Sequence, residues 1–214
     1  MIEIEFSTIH NDENDLRAIQ ELLDEFEQAN GVRVHLTRML RGTAWPDLMA
    51  IASTGKGPDV SHVGSSWVSS LAAMNAIRPF RPTEAALMGD ARTYIPSAWQ
   101  DTRVLGEEGM WSVPWNAFLF AVFYRKDLFA KASLDGTTAF ASVAAIGETI
   151  ARLNGAGCEI PWLIPYAAPP YDGLLHMAAS WVWGSGGNFV DMEGKRLSLG
   201  EPDALRGLTG WLNS

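Results

Sequence analysis

Apolar and polar residues alternate from the start of the chain. Ile2, Ile4 and Phe6 are separated by Glu3 and Glu5, which is the two-residue period of a strand. Leu16, Ile19, Leu23 and Phe26 then recur every three or four positions on an acidic segment. That spacing predicts an amphipathic helix running to Asn30-Gly31, where glycine supplies the left-handed cap. A second alternation at Val32, Val34 and Leu36 predicts another strand. Trp45 to Ser53 reads as a short helix with Pro46 in its first turn, stopped by Gly55-Lys56-Gly57-Pro58. A third strand, Asp59 to Val63, leads through Gly64-Ser65-Ser66 into a helix bearing Trp67, Leu71 and Met74.

Strand and helix alternating in this way predict an α/β fold with a parallel sheet and right-handed crossovers. Ligands of such sheets sit beyond the carboxyl ends of the strands. Those ends are Thr8 to Glu13, Met39 to Trp45 and Gly64 to Trp67, and each carries polar or aromatic residues that a turn alone does not require.

The texture then changes. Pro79 and Pro82 punctuate Ile77 to Thr83, Tyr94 to Trp99 reads as one or two helical turns, and Glu107-Glu108-Gly109 as a tight turn. A charge-free run from Met110 to Tyr124 follows, and Arg125 to Phe129 starts a helix. Ala139 to Leu153 predicts a further helix closed by Asn154-Gly155. Pro161 to Pro170 reads as extended and Leu174 to Trp183 as a helix of mixed face.

Composition narrows the function. The 214 residues are 47% hydrophobic and 19% charged, a globular balance. A formal net charge of -9 argues against nucleic acid or an anionic membrane surface as partner. The lone Cys158 forms no disulfide within the chain and makes no cysteine metal site. The opening residues enter a strand at once and read as no secretory leader, so an exported form has had its leader removed. Nine tryptophans are many for so large a side chain. Most are expected to fill core. The rest suit sugar rings, whose C–H faces are apolar and whose hydroxyls need partners at the edge.

Several motifs compete. Gly55-Lys56 is not a P-loop, because Ala50 stands where the leading glycine belongs and Gly57 where Ser or Thr belongs. Gly184-Ser185-Gly186-Gly187 reads as a turn. Gly64-Ser65-Ser66-Trp67-Val68 lies where a hydrolase nucleophile elbow would, but Val68 fills its last glycine position, so it reads as a helix N-terminus. Asp12, Glu13 and Asp15 beside His10 have the composition of a metal site or acid pair, yet helix capping explains part of the cluster. His10, Asn11 and Asp12 read equally as partners for ligand hydroxyls or as a surface loop.

Taken in order, Gly57-Pro58-Asp59-Val60, the helix after the third strand and Ala76-Ile77-Arg78-Pro79-Phe80 resemble the first lobe of family 1 extracellular solute-binding proteins. The match continues through Trp111-Ser112-Val113-Pro114-Trp115-Asn116 and Val122-Phe123-Tyr124-Arg125-Lys126-Asp127-Leu128-Phe129. Gly186-Gly187-Asn188-Phe189-Val190-Asp191, Leu197-Ser198-Leu199 and Glu201-Pro202-Asp203-Ala204-Leu205 extend it towards the end.

The resemblance implies a two-lobed α/β fold of the type II periplasmic-binding-protein kind, with parallel-rich sheets, here truncated to about half the length of two ordinary lobes. It implies a first lobe over 1–114, a hinge crossing over 115–125 and part of a second lobe over 126–214. The implied function is the solute-binding component of an ABC importer, with no enzymatic activity and no cofactor or metal. A mono- or oligosaccharide, or a polyol, would bind in a cleft between the lobes. His10, Asn11, Asp12, Trp45, Ser65, Ser66 and Trp67 would line it from the first lobe, Trp115 and Asn116 near the hinge, and Tyr171, Asp172, Trp181 and Trp183 from the second. Trp67, Trp115 and Trp183 are the stacking candidates. Trp181 and Trp183, two apart on a helix, cannot both face one cleft. Expected partners are the sugar, a membrane permease and a second chain or homo-oligomer that completes the fold. The expected place is periplasmic or extracellular, associated with the membrane. A sensory or scaffold module on the same fold, or a fragment that binds nothing, is the alternative.

Overall fold

Strand β1 (Ile2–Ile9) is the centre of a three-stranded sheet whose order is β2-β1-β3, all parallel. These coordinates come from a computed structural model that describes residues 1–9, 12–40, 42–164, 173–191 and 193–212. Four expected site residues, His10, Asn11, Tyr171 and Asp172, lie outside the described residues, as does most of the predicted extended segment 161–170. The chain divides into two compact units, Met1–Phe118 and Leu119–Ser214.

In the first unit, β1 pairs with β2 (Val32–Met39) over its whole length, from Ile2 opposite Val32 to Ile9 opposite Met39. Between them runs α1 (Glu13–Asn30). The Asp12 carboxylate caps α1, Oδ1 accepting from the backbone N–H groups of Asn14 at 2.8 Å and Asp15 at 3.0 Å. Gly31 closes it at φ 64°, its N–H donating to the Glu27 carbonyl, as the sequence predicts.

The third strand is shorter than the predicted Asp59–Val63, since β3 is Val60–Ser61 alone. Asp59 meets β1 through its side chain, Oδ2 accepting from the Glu5 N–H at 2.9 Å, and Val63-Gly64 leave the sheet towards a helix. Helices α2 (Ala44–Thr54) and α3 (Ser65–Ala73) pack on the sheet. Ile9, Met39, Ala44, Leu48 and Leu71 form one core cluster, with Val68, Ala72 and Val104 in a second. Met74, expected within α3, is instead its C-cap.

Short helices α4 (Pro82–Ala85) and α5 (Pro96–Gln100) finish this unit. Glu84 accepts two hydrogen bonds from the Arg78 guanidinium, at 2.7 and 3.0 Å, and one from the Arg81 N–H. Chiefly the Arg78 side chain, and then the Arg81 N–H, hold its carboxyl down at about 2. The predicted turn at 107–109 falls earlier: Glu107 N–H donates to the Val104 carbonyl across Gly106, whose φ of 83° suits glycine.

The second unit contains α6 (Lys126–Lys131), α7 (Val143–Gly155), α8 (Gly173–Gly184) and α9 (Pro202–Leu212). The helix predicted from Ala139 begins at Val143. Asp135 first draws Thr137 into a turn, and Ser142 then caps the helix by accepting from the Ala145 N–H at 3.1 Å. Phe129, Ala139 and Leu153 form the core here, pinned by the buried Thr149 hydroxyl donating to the Ala139 carbonyl. Helices α8 and α9 pack with Val182 and Ala204 fully buried. Gly207 makes that approach possible, since a Cβ there would lie 2.5 Å from the Trp181 carbonyl oxygen.

Candidate functional site

The carboxyl ends of the three strands gather the first unit's chemistry. In β1, Ser7 and Thr8 are polar but fully buried, so each needs a partner. Both find one on the neighbouring strand: Ser7 Oγ donates to Ser61 Oγ at 2.9 Å, and Thr8 Oγ1 lies 3.1 Å from His62 Nδ1. The His62 backbone N–H also donates to the Ser7 carbonyl at 2.7 Å. The polar ends of the strands are therefore held in fixed register where the loops begin.

Aromatic rings stand above this end. Trp45, in the first turn of α2, and Trp67, in the first turn of α3, meet with ring centroids 5.3 Å apart and planes tilted by 50°. Both are half-buried, and Trp67 rests on the core around Ile9 and Leu71. Gly64 lies beside the Trp67 indole, where a Cβ would meet the ring at an ordinary contact distance of 3.6 Å. Ser65 and Ser66 are exposed in the first turn of α3, with Gly64 at the N-cap position. Asp12 is exposed and its Oδ1 is occupied by the α1 cap.

Trp115 follows the core of this unit and is 56% exposed. Its ring lies 6.2 Å from Phe6 and 6.5 Å from His62. Asn116 beside it is exposed. Trp45, Trp67 and Trp115 therefore belong to the same unit as the three strand ends. His62, which the sequence analysis does not single out, joins this group through Thr8 and Trp115.

In the second unit, α8 separates its two tryptophans as their spacing requires. Trp181 is half-buried against Gly210 of α9, its ring 3.4 Å from where a Cβ would stand, whereas Trp183 is 58% exposed and meets Phe189 edge-on at 6.2 Å. Trp181 is thus a packing residue. Among the described residues, no three His, Cys, Asp or Glu side chains converge as metal ligands would, and no helix is long and apolar enough to cross a membrane.

Parallel strands with helices between them, in an α/β chain of two compact units, have the arrangement of a type II binding-protein fold. The chain belongs to the bacterial extracellular solute-binding protein family, whose model matches residues 10–213. A search of curated proteins returns no match. Among solved structures, the sugar-binding protein MalE from the phytopathogen Xanthomonas citri superposes with a TM-score of 0.73 at 19% identity, over 99% of this chain and 51% of that one. A sugar transporter protein from Arthrobacter chlorophenolicus with bound laminaribiose gives 0.73 at 18% identity, over 99% and 52%. The GacH receptor of Streptomyces glaucescens, solved unliganded and with acarbose, gives 0.65 at 21% identity, over 99% and 52%. The chain spans about half the length of the solved structures it matches.

Proposed function

We propose that the chain is the solute-binding component of an ABC importer and binds a mono- or oligosaccharide or a polyol, without catalysis. The observation that carries this reading is the half-buried Trp45–Trp67 pair at the carboxyl end of a parallel sheet. Two tilted indoles cover the C–H face of a sugar ring at little entropic cost, having few rotatable bonds to freeze. Family membership and sugar-holding relatives of the same fold support it.

Within this reading Trp67, Trp115 and Trp183 are stacking surfaces, while Asn11, Asp12, Asn116 and Asp172 satisfy hydroxyls. His10, Trp45, Ser65, Ser66 and Tyr171 complete the set. The first lobe is 1–114, the chain crosses to the second over 115–125, and 126–214 is part of the second lobe. The partners are the sugar, a membrane permease and a second chain or further copy that completes the fold. The place of action is the periplasm or the cell exterior, at the membrane. The second reading is a sensory or scaffold module on the same fold.

A thermal-shift titration of the chain with acarbose, laminaribiose and D-tagatose tests the first reading. A sugar that binds only the folded state stabilises it by about 2.7 kcal/mol at roughly a hundred times Kd, so the melting temperature rises. A chain that melts cooperatively with no rise for any of the three is a scaffold or fragment.

A further inference from the structure

Trp183 stands in the last turn of α8 with 58% of its surface open. A side chain so placed samples several rotamers unless a neighbour restrains it. The chain itself brings that neighbour back. Gly186 N–H donates to the Trp183 carbonyl at 2.9 Å and Gly187 N–H to the Val182 carbonyl at 3.0 Å, which closes the helix and reverses the backbone. Gly187 lets this turn press against α9, since a Cβ there would lie 2.5 Å from the backbone of Ala204. Phe189 follows, half-buried, and its ring meets the Trp183 indole edge-on, with centroids 6.2 Å apart and planes at 75°. Phe189 is fixed in its turn by the main chain. Its carbonyl accepts from the Ser198 N–H at 2.8 Å, Val190 bridges Leu197, and the Asp191 N–H donates to the Arg196 carbonyl at 2.9 Å.

We propose that Phe189 is the positioning residue of the Trp183 stacking surface, holding the indole in one orientation before a sugar arrives. The proposal rests on the reading of Trp183 as a stacking surface and adds to it the residue that makes that surface rigid. Two aromatic rings prefer the edge-on arrangement because the positive rim of one meets the negative face of the other. That preference has a direction, which an aliphatic side chain of similar size does not supply. The contact restrains the indole without covering it, since more than half of Trp183 stays open. Binding to a side chain already held in place avoids the loss of rotamer freedom that binding to a loose one entails.

The test compares the wild-type chain with W183A, F189L, F189Y and the double variant W183A with F189L. Each is titrated calorimetrically with acarbose, laminaribiose and D-tagatose. F189L keeps the apolar bulk and loses the ring, so Kd for the bound sugar rises by about fivefold. F189Y keeps the ring and restores the affinity. In the W183A background F189L has no further effect, whereas a purely structural Phe189 would cost the same with or without Trp183. A second measurement probes the sugar-free protein through the 15N heteronuclear NOE of the Trp183 indole N–H, assigned by its absence from the W183A spectrum. In the wild type it equals that of the α8 backbone, and in F189L it falls. A wild-type indole that moves as a free side chain does overturns the inference whatever the variants bind. If W183A weakens binding but F189L stays within about twofold of wild type, or loses as much without Trp183, this inference fails while the stacking reading stands. If W183A binds as the wild type does, the stacking role of Trp183 falls and this inference with it. If the wild type binds none of the sugars, the binding reading and the inference fall together.

Discussion

Asp12 shows how one side chain divides between folding and recognition. Its Oδ1 serves the backbone N–H groups of Asn14 and Asp15, which leaves Oδ2 as the oxygen for any ligand hydroxyl. Asn caps helices about as well as Asp, and Ala does not. D12A is therefore expected to lose about 1 kcal/mol of stability in urea melts, while D12N stays near wild type. If D12N nevertheless weakens sugar binding, the carboxylate has a recognition role separate from the cap. Trp67 invites the parallel experiment. W67A is expected to weaken binding by about 1 kcal/mol for the lost ring contact, and W115A likewise; unchanged affinity in both removes the stacking assignment. At this scale the sequence was legible wherever chemistry is local. The Asp12 to Gly31 helix follows from spacing and caps, and the separation of Trp181 from Trp183 follows from helical pitch. The meeting of Trp45 with Trp67 was not legible, because it depends on where the sheet places two different helices.

Among the elements, the boundaries that the sequence misjudged are those where a side chain outcompetes the regular backbone pattern. Asp59 bonds β1 by its carboxylate and shortens β3, and Asp135 with Ser142 delays α7 by four residues from the predicted Ala139. Packing between elements gives sharper predictions. At Gly207 an added Cβ would stand 2.5 Å from the Trp181 carbonyl oxygen and 2.7 Å from the Val182 Cα, both backbone atoms. Neither can swing aside, so α8 and α9 must separate. G207A is expected to cost about 1–3 kcal/mol, read from the midpoint of urea unfolding, despite the helix propensity that alanine adds. The Arg78–Glu84 pair organises α4 electrostatically. Its carboxyl ordinarily titrates at 4.5 and is lowered to about 2, so the charged form is favoured by folding. That contribution is fully present above pH 4.5 and is lost as pH falls through about 2. The difference in melting temperature between wild type and E84Q should therefore shrink with acidification across that window. The pair is solvent-exposed, so high salt should shrink the difference as well.

For the whole molecule, the exposed apolar surface and the length of the relatives bear on the same question. Leu119 is 88% exposed and Phe123 94%, with Phe120 and Val122 also exposed between them. Among the described residues, this stretch forms no strand pairing. Clustered apolar side chains of this size on a soluble surface mark a place where another surface belongs. The solved structures of the same fold are about twice as long, since the matched region is 50–54% of each chain. The proposed second chain or further copy would find here the apolar contact that association needs. Sedimentation velocity over a range of micromolar concentrations then resolves a species heavier than the 23.4 kDa chain, or the purified protein carries a second polypeptide. Charging both ends of the run, L119D with F123D, should abolish that association. It should leave the melting temperature of the monomer nearly unchanged, because neither side chain contributes to a buried core. A chain that stays monomeric at every concentration, purifies alone and behaves identically when charged would remove the partner from the proposal. The thermal-shift titration would then be read without any second component.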